Sequence, residues 1–126
     1  MIKFTLFSAA ILGFLGVAIG AFGAHGLKDI LEATGKGDNF ETGVRYHFYH
    51  ALALMVVGLL MFNGVGSIQL LKYVSLSFLL GVVIFSGSLY ILSLTGVTKW
   101  GMVTPIGGLL FLVGWVCLII NFLKIK

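Results

Sequence analysis

The sequence predicts an all-α integral membrane protein, a bundle of four transmembrane helices in a single domain over residues 1–126. Hydrophobic residues make up 60% of the chain and charged residues only 10%, whereas a soluble domain has roughly half apolar and a quarter charged residues. Inside a bilayer the backbone must satisfy its own polar groups, and alternating strand patterns typical of a barrel are absent, so apolar runs are expected to be helices. Four runs reach the necessary length of about 20 residues, at residues 4–25, 43–62, 74–95 and 102–123.

Glycines in the first run predict a close helix contact. On a helix, an arc of about 80° contains all four of these glycines: Gly13, Gly16, Gly20 and Gly23. Because lipid tails are as apolar as leucine, membrane helices associate through such small-residue faces, where another backbone can approach. The run also resembles a signal peptide, but its apolar length favours a membrane span.

The loop between the first and second runs differs in composition from the rest of the chain. It contains all four acidic residues. Residues 27–33 are expected to form a short interfacial helix, which Gly35 and Gly37 interrupt. Glu41 and Arg45 are four residues apart at the start of the second run and are expected to pair.

The third and fourth runs carry further small and polar residues. In the fourth, Gly107 and Gly108 predict close contacts, and Pro105 lies in the first helical turn, where its missing N–H costs little. In the third, two polar stripes lie nearly opposite each other. One stripe comprises Ser77, Gly81, Ser88 and Thr95, and the other Ser75, Ser86, Tyr90 and Ser93. Both stripes require protein or water, in the same bundle or in another copy of the chain.

Counting about 1.5 Å per residue from the loop side predicts a polar layer around His50, roughly 10 Å deep. Tyr46 lies one turn above His50, and His25 lies at the mouth of the layer. The candidate ligand-binding or polar-layer residues are His25, Tyr46, His50, Ser86, Ser88, Tyr90 and Thr104.

A histidine inside the bilayer is costly unless it has a partner, so His50 is a candidate functional residue. One interpretation is structural: a neutral ring bonds to a serine or tyrosine of the third run. The other is a role in ligand binding, proton transfer or metal binding. For His47, three residues before His50, we expect a position facing the headgroups or the mouth, and for His25 a position capping the first helix.

Metal binding needs three or four ligands, and His25, His47 and His50 with Glu41 or Glu32 are the candidate set. The HxxH spacing is weak evidence by itself, and His25 lies too shallow for a bis-histidine haem site. We therefore expect no metal and no cofactor. All four carboxylates lie in one loop, so no nucleophile, base and orienting acid meet inside the membrane, and we expect no enzymatic activity.

Four ungapped motifs lie in order along the chain: GAFGAHG at residues 20–26, RYHFYHALAL at 45–54, FSGSLYILSLTG at 85–96 and TPIGGLLFLVGW at 104–115. Through them the chain resembles, over nearly its whole length, the YgdD-like family of small bacterial membrane proteins, a group of unknown function related to the eukaryotic transmembrane protein 256. The resemblance implies a four-helix protein of a bacterial cell membrane, without an activity to transfer. The matching residues are Gly20, Gly23, His25, Tyr46, His50, Ser86, Gly87, Ser88, Tyr90, Thr104, Pro105, Gly107, Gly108 and Trp115. His47 stands where the family varies, often with glutamine, which argues against a three-histidine metal site.

These observations favour a non-enzymatic protein of the cell membrane that binds a lipid-like or small ligand, or a partner helix, around His50. The alternatives are an oligomeric transporter or channel subunit, for which four spans require several copies, and an enzyme or metal-binding protein using His50. Membrane lipids are expected partners, as is a second copy or another membrane protein. Nucleic acid is not, because no run of three basic residues occurs. The even number of spans places both termini on one side, which we expect to be the cytoplasm.

Overall fold

A computed structural model describes residues 1–125, and all regular elements within that range are helical. The helices are α1 (Ile2–Ala24), α2 (Lys28–Thr34), α3 (Gly37–Phe62), α4 (Ile68–Gly81), α5 (Gly87–Thr95) and α6 (Thr104–Leu123). A π-helical turn, Val82–Ser86, joins α4 and α5 into a continuous third span, and a 3₁₀ turn, Thr98–Met102, precedes α6.

Four helices are long and apolar enough to cross a membrane: Ile2–Ala24, Gly37–Phe62, Ile68–Thr95 and Thr98–Leu123. The predicted all-α fold with four transmembrane helices is thereby confirmed. The second and third spans begin at Gly37 and Ile68, earlier than the apolar runs at residues 43 and 74. Helical geometry continues into polar sequence because backbone hydrogen bonds do not require an apolar side chain.

The loop between the first two spans contains the expected short helix. It is α2, which ends at Gly35 in the left-handed conformation with φ of 64°. A glycine adopts this conformation without steric cost and so closes the helix. Within the same region Arg45 pairs with Glu41 at 3.6 Å, as expected.

α3 and the third span form the centre of the bundle, while α1 packs mainly on α3 and α6 mainly on the third span. Leu54, Val57, Val74 and Phe78 are fully buried between these helices. Large apolar side chains on the outer faces, such as Phe14, remain exposed. Since hydrocarbon solvates apolar side chains as well as a protein core does, the outer face is suited to lipid.

The glycines of α1 do not contribute equally to its contact with α3. A Cβ added at Gly16 would lie 2.9 Å from the ring of Phe48, and one at Gly23 would overlap the ring of Phe40. At Gly20 the same atom would be in ordinary contact with a methyl of Val44, at 3.4 Å. Gly13 has open space around it, so its predicted packing role is wrong: its direction on the helix leaves it beside the contact.

In α6, Gly107 provides the closest helix approach. An added Cβ there would collide with the backbone nitrogen of Phe85 in the π-helical turn. At Gly108 it would meet only the Phe85 ring, at 3.7 Å. Gly58, which packs against Leu6, and Gly81, which packs against Phe111, are equally tight contacts.

Asn121 connects α6 to the loop before α4, at the opposite end of the bundle from α2. Its side chain is fully buried, and its Oδ1 accepts a hydrogen bond of 2.8 Å from the backbone N–H of Ser67. The neighbouring Gly66 has φ of 81°, and an added Cβ there would lie 2.5 Å from the Asn121 amide. The asparagine thus requires both the conformation and the small size of Gly66.

Candidate functional site

His50 is buried in the interior of the bundle, with 4% of its surface exposed, and both ring nitrogens have partners. Nδ1 donates to the backbone oxygen of Tyr46 at 2.8 Å, and Nε2 accepts from the indole nitrogen of Trp115 at 3.1 Å. A carbonyl can only accept and an indole N–H can only donate. The partners therefore assign the neutral tautomer with its proton on Nδ1.

Aromatic rings surround His50. Its ring stacks on Phe111, with centroids 3.5 Å apart and planes inclined by 8°, and Phe78 meets it edge-on at 5.1 Å. His50 consequently joins α3 to α6 by a hydrogen bond and by stacking. This agrees with the structural interpretation of His50, but the expected partner was wrong: Trp115 of α6 bonds to the ring, rather than a serine or tyrosine of the third span.

His47 also lies in the interior, with 3% of its surface exposed. Its Nε2 donates to the backbone oxygen of Leu12 at 2.8 Å, and its Nδ1 accepts from the hydroxyl of Tyr90 at 2.9 Å. The ring thereby links α1, α3 and α5. The expected position facing headgroups is wrong because α3 begins at Gly37, so His47 already lies nearly three turns inside the helix.

Four of the five serines of the third span have side-chain hydrogen bonds within the same chain: Ser75, Ser86, Ser88 and Ser93. Ser86 donates to the backbone oxygen of Gly43 at 2.7 Å, and Ser88 shares a hydrogen bond of 2.7 Å with Thr104. Both serines are buried, as are Ser75, Ser77 and Ser93. Ser86 thus bonds to α3 and Ser88 to the start of α6, so each stripe has a hydrogen-bonded serine without a second copy of the chain.

The predicted polar layer is therefore divided into separate contacts. Tyr46 and His50 lie together, Ser88 pairs with Thr104, and Tyr90 bonds to His47 instead of His50. His25 occupies the C-cap position of α1, as expected, but its side chain is exposed and lies outside the interior contacts. Among residues 1–125, no three histidine, cysteine or acidic side chains come together as a metal site.

A groove lies beside His50 between α3, α6 and the π-helical turn, with a volume of about 570 Å³. Its rim includes Leu109 and Leu112, each more than 60% exposed on the outer face of α6. The groove thus opens sideways, toward the position of the lipid. The lining residues are Tyr46, His50, Phe85, Pro105, Gly108, Leu109, Phe111, Leu112 and Trp115.

The π-helical turn and Trp115 are the parts of this site that sequence reasoning missed. The turn brings Phe85 into the groove, where the Phe85 and Tyr46 rings lie 4.8 Å apart. Such turns are frequent at functional sites but leave no clear sequence pattern. Trp115 was visible in the family motif, and its N–H donor was the available signal, because a buried indole requires an acceptor.

Comparisons with known proteins agree with the resemblance found in the sequence. A family described as "Protein of unknown function (DUF423)" matches residues 19–108. The chain is 39% identical over 128 residues to the UPF0382 membrane protein YwdK of Bacillus subtilis, covering 97% of this chain and 98% of that protein. It is 42% identical over 125 residues to the UPF0382 inner membrane protein YgdD of Escherichia coli, covering 98% and 92% of the two chains. It is 42% identical over 126 residues to a UPF0382 membrane protein of Staphylococcus epidermidis, covering 97% of each.

No solved structure matches the chain. The family match spans more than half of the sequence, and the relatives align over nearly their full length. Their names describe membrane proteins, in agreement with the four membrane-length helices. The chain belongs to the DUF423 family of membrane proteins of unknown function.

Proposed function

We propose that this protein is non-enzymatic and binds a lipid-like ligand in the groove beside His50. The observation that carries the proposal is the groove itself, about 570 Å³ in volume and open between α3 and α6 on the outer face of the bundle. This volume falls within the range of about 300–1,000 Å³ that is usual for small-molecule sites. A molecule dissolved in the bilayer reaches such a groove without crossing water.

The hydrogen bonds of His50 support a binding role over a chemical one. The lone pair on Nε2 already accepts from Trp115, and the proton on Nδ1 is donated to Tyr46. An acid, a base or a metal ligand needs one of these nitrogens free. His50 therefore serves as a fixed part of the groove wall, and its hydrogen bond holds Trp115 in place.

The test is native mass spectrometry of protein extracted from its own membrane in mild detergent. Gly108 lines the groove and has only ordinary contacts, so Gly108→Leu should fill the groove without displacing a backbone. Gly13→Leu is the matched control, because nothing lies near that position. We expect a bound amphiphile on the wild type and on Gly13→Leu, and its loss from Gly108→Leu.

An unliganded wild type, or equal ligand occupancy in all three proteins, would overturn the proposal. Loss of a dimer from Gly108→Leu alone, with no small ligand detected, would instead assign the groove to a partner helix.

We also propose that both termini face the cytoplasm. Each side carries four basic residues, Lys3, Lys72, Lys124 and Lys126 on the terminal side and Lys28, Lys36, Arg45 and Lys99 on the other, but all four acidic residues lie on the other side. The terminal side therefore has the greater net positive charge, and we place it in the cytoplasm, where positive segments are favoured. A green fluorescent protein fused to the C-terminus should fluoresce, whereas alkaline phosphatase fused there should be inactive. The reverse pair of results would invert the topology.

A further inference from the structure

The side chains that line the groove restrict the charge of its ligand. None of the lining residues is Asp, Glu, Lys or Arg, and the hydrogen bonds of His50 fix its ring in the neutral form. An ion placed among them would lose its hydration without gaining a counter-ion, at a cost that a neutral molecule avoids. A neutral ligand is therefore favoured over a charged phospholipid headgroup.

The walls of the groove also favour a flat molecule. Tyr46, Phe85, Phe111 and Trp115 all contribute rings. The Tyr46 and Phe85 rings lie 4.8 Å apart and the Phe85 and Phe111 rings 5.4 Å apart, both pairs tilted. At these distances the rings touch one another and form one aromatic wall, and Gly108, without a side chain, leaves space beside the Phe85 ring. Aromatic walls contact a planar ring over its whole face, in offset or edge-on arrangements, better than they contact a flexible acyl chain.

One polar group of the groove is free to recognise a ligand. His50 and Trp115 are bonded to each other. The hydroxyl of Tyr46 takes part in none of the side-chain hydrogen bonds among residues 1–125, and Tyr46 is 41% exposed. Tyr46 directly follows Arg45, whose exposed ion pair with Glu41 marks the watery end of α3. Tyr46 thus lies toward the interfacial end of the groove, one helical turn from His50.

We propose that the groove binds the ring of a neutral isoprenoid quinone. A ring carbonyl accepts a hydrogen bond from Tyr46, the ring packs against the aromatic wall in the space that Gly108 leaves, and the prenyl tail passes Leu109 and Leu112 into the bilayer. A quinone combines the four properties that the groove selects: no charge, a planar ring, a hydrogen-bond acceptor and a long apolar tail. The inference concerns binding alone, and it rests on the proposed function of the groove.

Trp115 provides the measurement, because it lines the groove and the chain has only two tryptophans. Trp100→Phe, which changes a residue outside the groove, leaves Trp115 as the single fluorophore. A decyl-substituted 1,4-benzoquinone, titrated in detergent, should quench its fluorescence saturably. In this background Gly108→Leu should abolish the saturable component and Gly13→Leu should retain it, with melting temperatures confirming that all variants are folded.

Two further arms identify the chemistry. Tyr46→Phe retains the aromatic wall and removes only the hydroxyl, so the dissociation constant for the quinone should rise roughly 2- to 12-fold. Decanol, which has a tail of the same length but no ring, should fail to displace the quinone at equal concentration. These results together would support the quinone assignment.

The outcomes separate this inference from the function on which it rests. Saturable binding that decanol displaces as well as the quinone itself, or that Tyr46→Phe leaves unchanged, would overturn the quinone assignment and retain a lipid-like ligand. Quenching that never saturates, or that Gly108→Leu leaves unchanged, would overturn the quinone assignment. If native extracts of the wild type also contained no ligand, the proposed function would fail as well.

Discussion

The indole nitrogen of Trp115 donates a hydrogen bond of 3.1 Å to Nε2 of His50, joining α6 to α3 inside the membrane. These are not the helices that pack most closely: α6 packs mainly on the third span. The bond and the stacked Phe111 ring thus tie the outer helix α6 to α3, and the groove lies along this contact.

Removing either partner of this bond should destabilise the protein. Trp115→Phe leaves Nε2 of His50 buried without a donor, at a cost of about 1–3 kcal/mol. His50→Leu removes the acceptor of the Trp115 indole and the ring that stacks on Phe111, so we expect a loss of about 1–3 kcal/mol. Reversible unfolding in detergent measures both, and a double-mutant cycle should give a coupling near 0.6 kcal/mol, with about 1.7 as the upper end. Strictly additive losses would contradict a direct bond.

Adding zinc or copper should shift the melting temperature of the wild type no more than it shifts that of His50→Gln. The reason is that Trp115 already occupies the lone pair a metal would need. A metal-dependent increase in melting temperature that His50→Gln abolishes would show that the indole is readily displaced, and would restore a metal-binding role.

His47 bonds to two other helices, so its contribution to stability should depend on its two hydrogen bonds and not on the imidazole ring itself. His47→Gln keeps a donor and an acceptor and should lie within about 1 kcal/mol of the wild type. His47→Leu leaves the hydroxyl of Tyr90 without its acceptor and should cost more, about 1–3 kcal/mol. Tyr90→Phe, made in the His47→Leu background, should recover part of that loss, because it removes the unpaired hydroxyl. Equal stability of the glutamine and leucine variants would contradict this account.

The loss of stability on substituting a glycine by alanine should depend on how close the neighbouring atoms lie to the added methyl group. Gly107→Ala forces a methyl group against the backbone of Phe85 and should destabilise by about 1–3 kcal/mol. Gly20→Ala meets only a flexible valine methyl and should cost much less, and Gly13→Ala should be neutral. Unfolding free energies in detergent provide the comparison. A loss at Gly13 as large as at Gly107 would show that α1 has a further partner on that face.

Gly66 and Gly64 form a matched pair in the loop before α4. Both have positive φ, at 81° and 66°, but only Gly66 contacts Asn121. Each alanine variant should lose more than about 1 kcal/mol because of the left-handed backbone. Gly66→Ala should lose more than Gly64→Ala, since its methyl also displaces the buried amide. Equal losses would mean that Asn121 moves aside freely.

The sequence by itself determined the fold class, the four spans, the short helix after the first span and its end at Gly35. These follow from local quantities, namely the length of an apolar run and the conformational freedom of a glycine. It also predicted the Glu41–Arg45 pair and the proximity of Tyr46 to His50, since residues four apart share a helix face.

Only the tertiary structure decided which residues of different helices meet. Counting residues from the loops assumes straight helices that start at one level, but α3 starts at Gly37 and the third span contains a π-helical turn. An offset of about one turn is enough to exchange partners, so Tyr90 meets His47 and His50 meets Trp115 instead. The groove has the same origin, because the backbone of Phe85 can approach α6 only where Gly107 has no side chain. Such contacts depend on tilt and register between helices, which apolar periodicity leaves undetermined because lipid accepts any apolar face.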